Sequence, residues 1–242
     1  AWTQIGADID GEAAGDLFGS SVALSSDGTR LAVGAHGNDD TGISAGHVRV
    51  FDWDENQSTW TQVGDDIDGE AAGDEFGLSV ALSSDGTRLA VGALGNDGTG
   101  ISAGHVRVFE YISGSWIQLG DDIDGEAAGD GFGRSVALSS DGTRLAAGAA
   151  ENDSNLGLYA AAGHVRVFDA VLSAWTQLGS DIDGEAAGDS SGTSVALSSD
   201  GTRLAVGAVF NGDGGSFTGH VRVYVESGGA WTQIGADIDG EA

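Results

Sequence analysis

The sequence contains no cysteine, proline, methionine or lysine. Without cysteine, the chain has no disulfide, no thiolate metal site and no cysteine nucleophile. Without methionine, residue 1 is not a native start, so we expect a processed product or part of a longer chain. No run of about 18 apolar residues is present, and no signal peptide is visible. Membrane insertion is therefore not expected.

Positive charge is scarce. Nine arginines face 38 acidic residues, which gives a formal net charge of −29. A chain this acidic repels nucleic acid and anionic membranes, so neither is an expected partner, whereas multivalent cations are. Hydrophobic residues make up 40% of the chain, enough for a core, so the charge does not imply disorder. The 43 glycines indicate many tight turns and close contacts.

The chain is an array of repeats. Tryptophans mark the period, at Trp2, Trp60, Trp116, Trp175 and Trp231. The first repeat contains four segments that alternate with period two, over residues 2–6, 21–25, 30–35 and 47–53. Between the second and third of them, Asp27-Gly28 predicts a two-residue hairpin turn, and the same pair recurs in every repeat. Four short antiparallel strands in each repeat of this length are typical of a propeller blade.

Two recurring motifs resemble the FG-GAP repeat, the blade unit of integrin-α-type propellers. They are the Phe-Gly pair of Phe18-Gly19 and its counterparts, and the Gly-Ala pair of Gly34-Ala35 and its counterparts. The fourth repeat departs from the pattern with Ser191-Gly192. The resemblance implies ligand binding at the upper face of the propeller, by analogy only. The family's calcium loop would fall between the first two strands of a blade, where this chain has only "SSDGT", so that calcium site is not carried over.

These patterns predict an all-β fold, a β-propeller of four four-stranded FG-GAP-like blades that is one unit of a longer tandem array. The predicted blades are residues 14–65, 66–121, 122–180 and 181–236. Residues 1–13 are expected to be an outer strand and linker that completes a blade or pairs with a preceding unit. Residues 237–242 would start a further repeat. Residues 1–13 are identical to residues 230–242, so the sequence returns to itself after four blades.

The nonapeptide "DIDGEAAGD" is a candidate cation site. It occurs at residues 8–16, 66–74, 122–130 and 181–189, with acids at positions 1, 3, 5 and 9, a spacing that resembles a calcium loop. The candidate ligands are Asp8, Asp10, Glu12, Asp16, Asp66, Asp68, Glu70, Asp74, Asp122, Asp124, Glu126, Asp130, Asp181, Asp183, Glu185 and Asp189. Against this reading, Ala13 and Gly19 stand where such loops need Gly and Glu. The alternative is structural: a strand end followed by a turn, in which Asp16 binds nearby backbone amides.

Other recurring polar residues have simpler interpretations. The variable loops carry Asx residues at Asn38-Asp39-Asp40, Asn96-Asp97, Asn152-Asp153, Asn211 and Asp213, and they are the expected binding surface if there is one. The histidines of "GHVRV" (His47, His105, His164 and His220) are expected to be structural, in cross-strand pairs with Arg or Asp. Asp27 and Arg30 predict an ion pair flanking the turn. Asn56 and Asn152 fit the N-glycosylation pattern.

No catalytic constellation is visible, because every acid and histidine of note is repeated. The sequence therefore predicts a non-enzymatic extracellular structural or adhesive protein, such as a filament or surface-appendage subunit. The alternative is a calcium-dependent propeller that binds glycans or proteins. Calcium is the only expected cofactor. The expected partners are neighbouring repeat units through self-association, and glycans or surface proteins, at an extracellular or cell-surface location.

Overall fold

The computed structural model describes residues 1–153, 161–212 and 217–241, which form a row of four antiparallel β-sheets. Each sheet is one blade, so the predicted all-β propeller of four FG-GAP-like blades is confirmed. None of the described residues lies in a helix long and apolar enough to cross a membrane.

The strands follow one plan in every blade. Blade 1 contains β1 (Ser21–Leu24), β2 (Arg30–Ala35), β3 (His47–Asp54), β4 (Thr59–Gln62) and β5 (Ile67–Asp68). Blade 2 contains β6 (Phe76–Leu82), β7 (Arg88–Ala93), β8 (His105–Ile112), β9 (Ser115–Gln118) and β10 (Ile123–Asp124). Blade 3 contains β11 (Phe132–Leu138), β12 (Arg144–Ala149), β13 (His164–Val171), β14 (Ala174–Gln177) and β15 (Ile182–Asp183). Blade 4 contains β16 (Ser191–Leu197), β17 (Arg203–Ala208), β18 (His220–Ser227), β19 (Ala230–Gln233) and β20 (Ile238–Asp239).

The outer strand of each blade is split in two. In blade 1, β1, β2 and β3 are neighbours in that order, and both β4 and β5 pair with β3. Residues 2–6, predicted to be extended, form no strand, although the identical sequence at the chain end contains β19. The difference arises because β19 pairs with β18, whereas residues 2–6 have no third strand of a blade beside them.

The hairpin between the first two strands is longer than predicted. Ser25 N donates to Arg30 O at 2.8 Å, so four residues form the loop instead of two. Gly28 takes a φ of +75°, as the Asp-Gly pattern requires. Asp27 accepts hydrogen bonds from Ser25 and Thr29 inside this loop and does not pair with Arg30.

Arg30 pairs instead with Asp52 on β3, from its Nε and Nη2 atoms at 2.6 and 2.7 Å. This bidentate hydrogen bond raises the pKa of Arg30. The predicted turn-flanking ion pair with Asp27 is therefore wrong. The reason is that the guanidinium lies over the sheet towards β3, where a carboxylate of matching geometry faces it.

The core lies between blades. Ala32, Val48 and Val50 of blade 1 pack against Phe76 and Leu89 of blade 2, and all five are buried. The same arrangement recurs between blades 2 and 3 and between blades 3 and 4. Stability therefore comes from stacking one blade on the next, as in other repeat arrays.

Hydrogen bonds repeat across each of these interfaces. Ser21 Oγ donates to Gly77 O at 2.6 Å, and Arg30 Nη1 donates to Gly86 O at 3.0 Å. A side chain at Gly34 would collide with Gly77 O, which confirms that small residues are needed where blades approach. The equivalent donor bonds join blade 2 to blade 3 and blade 3 to blade 4.

The two ends of the row are open. Val22 and Leu24 on the outer face of blade 1 are 62% and 56% exposed. On the opposite end, Ile238 of blade 4 is 60% exposed, whereas its blade-1 counterpart Ile67 is 7% exposed. Across the described ranges, no hydrogen bond joins blade 4 to blade 1. The four blades form an open arc in this structure.

Candidate metal sites

The acids of one nonapeptide copy do not converge on one point. In the copy at residues 66–74, Asp66 lies beside His47 of blade 1, while Glu70 lies beside His105 of blade 2. Asp74 is buried and accepts a hydrogen bond from Ala71 N at 3.1 Å. The nonapeptide therefore bridges two neighbouring blades and contributes one acid to each of two clusters.

Each blade holds one cluster of potential metal ligands, formed by a Glu, a buried His and an Asp. The clusters are Glu12, Asp40, His47 and Asp66 in blade 1; Glu70, His105 and Asp122 in blade 2; Glu126, His164 and Asp181 in blade 3; and Glu185, His220 and Asp237 in blade 4. Within each cluster the potential ligand atoms lie within 4.8 Å of one another. Each cluster could hold one metal ion.

The histidines are the most informative members. Each begins the third strand of its blade, directly after a glycine of positive φ, and each is at most 4% exposed. His105 Nδ1 lies 3.8 Å from Asp122 Oδ2, and His220 Nδ1 lies 3.7 Å from Asp237 Oδ2. These separations are too long for hydrogen bonds. The expected cross-strand pairs with Asp are present in the strand register, where His47 lies opposite Asp68 and His105 opposite Asp124, but no hydrogen bond joins the imidazole to the carboxylate in these pairs.

The buried imidazole nitrogens lack hydrogen-bond partners. Neither ring nitrogen of His47 or His220 has one, nor does Nε2 of His105 or His164. A buried polar atom without a partner costs about 1–3 kcal/mol, so four repeated cases need a physical reason. In His220 a metal ion bound at Nδ1, the nitrogen that faces the carboxylates, would satisfy one of these atoms. In His105 the nitrogen that faces the carboxylate is also Nδ1, whereas the atom without a partner is Nε2.

The protonation state suits metal binding. Burial is the largest cause that lowers the pKa of His105, and the charge on Arg107 lowers it further. Burial also lowers the pKa of His164. At neutral pH both rings are therefore neutral, and neutral imidazole is the form that binds metals.

A glutamine positions the aspartate of each cluster. Gln62 Nε2 donates to Asp66 Oδ1 at 2.6 Å, and Gln118 Nε2 donates to Asp122 Oδ1 at 2.7 Å. Blades 3 and 4 repeat the bond with Gln177–Asp181 and Gln233–Asp237. Such outer hydrogen bonds orient the ligands of known metal sites and leave the second carboxylate oxygen free.

The blade-1 cluster differs from the other three. Asp40 adds a third carboxylate, and Arg49 lies 3.8 Å from both Glu12 and Asp66. Three carboxylates and one guanidinium leave a net charge of −2, which matches a divalent cation. In blade 2 the two carboxylates and Arg107, 3.5 Å from Glu70, leave −1. The blade-1 cluster is therefore the strongest candidate.

The remaining predicted ligands have other roles. Asp16, Asp74, Asp130 and Asp189 accept hydrogen bonds from backbone amides of their own turns, as the structural alternative predicted. The backbone oxygens of Asp10, Asp68, Asp124 and Asp183 accept from the arginine of the third strand. Asp8 is held by Gln4 and belongs to no cluster of the described residues. Burial raises the pKa of Asp68, and the charge of Asp66 raises it further.

The two candidate glycosylation sites differ in accessibility. Asn56 is exposed in the turn between β3 and β4. Asn152 is only 7% exposed, so the folded chain does not present its amide to a modifying enzyme. The related Asn38 is also buried and donates to Asp16. Of the variable-loop residues, Asp213 lies outside the described residues.

The sequence analysis did not include the histidines among the candidate ligands. Their regular strand position favoured a structural role, and the acids nearest in sequence were assigned to each other. The signal that was present is the recurrence of one His, one Glu and one Asp in every repeat, at 35 residues from Glu to His in blades 1, 2 and 4. Only the fold shows that the Asp comes from the next copy of the nonapeptide.

Together, the sheets and their clusters define a β-propeller whose blades each carry potential metal ligands. Residues 8–51 and 67–109 match the family model of the FG-GAP repeat. The chain contains FG-GAP repeats, and the resemblance found in the sequence is confirmed. No curated protein matches the chain.

Solved structures share the fold. A protein assigned as a 6-phosphogluconolactonase from Bacteroides uniformis is 14% identical with a TM-score of 0.63, over 91% of this chain and 55% of its own. The periplasmic gluconolactonase PpgL of Pseudomonas aeruginosa is 17% identical with a TM-score of 0.60, over 93% and 57%. Hydrazine synthase of Kuenenia stuttgartiensis is 17% identical with a TM-score of 0.54, over 88% and 53%. The chain spans about half the length of these structures.

Two predictions are corrected by these likenesses. The chain was expected to be non-enzymatic, and its function was expected to be structural or adhesive, with a glycan- or protein-binding module as the alternative. Both expectations are overturned by the two lactonases, because proteins with this fold carry the names of enzymes. FG-GAP repeats by themselves do not indicate adhesion.

Proposed function

We propose that this protein binds divalent metal ions at the cluster of each blade, most tightly in blade 1. The observation that carries the proposal is the set of four buried imidazoles, each with a ring nitrogen within 4.8 Å of two or three carboxylates. In His220 the nitrogen that faces them, Nδ1, has no hydrogen-bond partner. Zinc–nitrogen and zinc–oxygen distances are about 2.0–2.2 Å, so the ligand atoms of a tetrahedral zinc ion lie about 3.4 Å apart. The donor atoms of each cluster, within 4.8 Å of one another, would therefore move closer together to coordinate one ion.

The ligand set favours zinc or a similar metal over calcium. Calcium takes six to eight oxygen ligands, whereas imidazole suits zinc, iron and nickel. Each cluster offers one imidazole and two or three carboxylates. Calcium, the cofactor expected from the nonapeptide, therefore becomes the comparison ion in the test.

The direct test is calorimetric titration of the full chain with Zn²⁺ and, separately, with Ca²⁺, after treatment with a chelator. We expect Zn²⁺ to bind, and Asp40→Asn to weaken the tightest site by more than about tenfold. Asp39→Asn is the matched control, because Asp39 lies next to Asp40 but belongs to no cluster. Both are exposed, so neither change should unfold the chain.

A second control separates the histidines. His47→Ala should remove the tightest site, whereas His36→Ala should leave it, since His36 is hydrogen-bonded to Ser20 and lies outside the clusters. If the Zn²⁺ isotherm is the same in Asp40→Asn and His47→Ala as in the unchanged chain, the proposal fails. Equal binding of Ca²⁺, insensitive to His47, would also exclude it.

A second candidate function is hydrolysis of a sugar lactone at the blade-1 cluster. Two observations favour it: two similar structures carry lactonase names, and a cleft of about 280 Å³ opens beside Asp66. Arg107 and Trp116 line this cleft, which gives it a cation for an anionic substituent and an aromatic ring for a sugar face.

The reaction would proceed without a redox step. The oxygen of water bonds to the lactone carbonyl carbon, the ring carbon–oxygen bond breaks, and the ring oxygen takes a proton, which yields a hydroxy acid. A metal ion, when bound, polarises the carbonyl and makes water more acidic. Asp66, which lines the cleft, would accept the proton from water, while Gln62 keeps Asp66 oriented.

Hydrolysis is tested with glucono-lactone and a pH indicator, using the full chain loaded with Zn²⁺. We expect a rate above that of the lactone alone, reduced in Asp40→Asn but not in Asp39→Asn. No acceleration over the spontaneous rate would overturn the lactonase candidate alone, because metal binding is measured independently by calorimetry.

The location proposed from the sequence, extracellular or at the cell surface, is retained as part of this proposal. It is supported by the strongly acidic charge and by the periplasmic location in the name of the similar Pseudomonas structure. Detection of the native protein outside the cytoplasm of its source cell would test it.

A further inference from the structure

The two ends of the arc present opposite halves of one interface. We call the residues Ala205, Val221, Val223 and Ile238 the blade-4 end face, and Phe18, Val22, Leu24 and Leu31 the blade-1 end face. We propose that the blade-4 end face of one chain docks on the blade-1 end face of a second copy, and that two copies close into one ring.

The internal interfaces show how well these faces fit. The blade-1 equivalents of the blade-4 end face are Ala32, Val48, Val50 and Ile67, and they are 0–7% exposed because blade 2 covers them. In the blade-4 end face, Val221 and Ile238 are 37% and 60% exposed. Side chains that are core at three junctions are therefore exposed at the fourth.

The hydrogen-bonding groups are also present on both sides. Ser194 and Arg203 occupy the positions of Ser21 and Arg30, whose side chains donate to backbone oxygens of the next blade. Within the described residues, the Arg203 guanidinium makes no hydrogen bond or ion pair. Gly19 and Gly28 of blade 1 stand where Gly77 and Gly86 accept, so the second copy supplies the missing acceptors.

Residues 1–10 occupy the place of a missing outer strand. Gly6 lies against Trp60 as Gly64 lies against Trp116, and Arg49 donates to Asp10 O as Arg107 donates to Asp68 O. This segment has the same sequence as residues 230–239, which fill that place in blade 4. When blade 4 of a second copy docks, its residues 230–239 take the place of residues 1–10 of the first copy. Because the two segments have the same sequence, the blade-1 end face is complementary to blade 4 of this chain.

Two copies suffice for closure. Each copy has one face of each kind, so two copies related by a two-fold axis satisfy all four faces. The similar structures, of which this chain covers 53–57%, hold about twice the matched length in one chain. The net charge of −29 opposes association at low ionic strength, and salt of about 1 M reduces the Debye length to about 3 Å.

Sedimentation velocity of the full chain at high protein concentration and about 1 M salt tests the proposal. We expect a species with nearly twice the mass of the 24.2 kDa chain. Val22→Asp and Val221→Asp each place a charge on one end face and should each give monomers. Ile101→Asp is the matched control, since Ile101 is 78% exposed in a loop of blade 2 and should leave the pair intact.

Mixing the two variants tests the pairing directly. The Val22→Asp chain keeps an intact blade-4 end face and the Val221→Asp chain keeps an intact blade-1 end face, so an equal mixture should form a pair joined at one interface. A monomeric full chain, a pair that survives either change alone, or a mixture that stays monomeric would overturn the proposal. Open chains longer than two copies would overturn closure.

Discussion

At the scale of single residues, position within the repeat decides what an acid does. Asp27 and its counterparts serve the hairpin, Asp16 and its counterparts serve a turn, and Asp66 and its counterparts face a histidine. The sequence shows that each of these three sets of aspartates recurs in every repeat. It does not show that the sets have different roles, because all of them repeat with the same period. The acids of one nonapeptide resemble a calcium loop in their spacing along the chain. In the fold, however, two of them lie in the clusters of two neighbouring blades.

The hairpin aspartates make the fold sensitive to acid. Hydrogen bonds from Ser198 and Thr202 lower the pKa of Asp200 to about 2 from its ordinary value of 3.8. Because the folded pKa is the lower one, the stabilisation is complete above about pH 4 and is lost as the pH falls towards 2. Hydrogen bonds within the same turn also lower the pKa of Asp27 and Asp141.

We therefore expect Asp200→Ala to lower the melting temperature at neutral pH and to flatten its fall between pH 4 and 2. Circular dichroism melts at several pH values measure this. Glu55→Ala, an exposed acid in the turn between β3 and β4, is the control and should leave the profile unchanged. An Asp200→Ala profile parallel to that of the unchanged chain would contradict the assignment.

At the scale of strands, small residues set the distance between blades. The period-two pattern predicted the inner three strands of blade 1 almost to the residue, since Val and Leu alternate with small or polar residues along β1 to β3. The splitting of the outer strand into β4 and β5 was not predictable, because it depends on pairing with β3 rather than on the residues between them.

Gly92→Ala tests this spacing. A Cβ at Gly92 would collide with Gly133 O of blade 3, so the blades must separate, and overpacking of this kind costs about 1–3 kcal/mol. Gly207→Ala is the matched control in blade 4 of a single chain at low ionic strength, where the nearest atom is the Ser194 hydroxyl, which can rotate away. Urea unfolding should show a lower midpoint for Gly92→Ala than for Gly207→Ala. Equal midpoints would show that the blades do not depend on this contact.

At the scale of the whole molecule, repetition explains both the success and the failure of the sequence prediction. Four blades could be counted from the tryptophans, and their family from the Phe-Gly and Gly-Ala pairs. The candidate metal clusters could not be predicted from the sequence. Each one combines a Glu and an Asp from two different nonapeptide copies with the histidine that begins the third strand of the blade. Repetition was also taken to exclude catalysis, yet Asp40 makes the blade-1 cluster unlike the other three.

The central claim is that a divalent metal ion binds between the histidine and carboxylates of each blade. Crystals of the full chain grown with zinc, with anomalous scattering recorded at the zinc edge, test it most directly. We predict the strongest anomalous peak between Glu12, Asp40, His47 and Asp66, with ring nitrogen and carboxylate oxygens at about 2.0–2.2 Å from the ion. No peak at any of the four histidines, or a peak held by the acids of a single nonapeptide without a histidine, would contradict the claim.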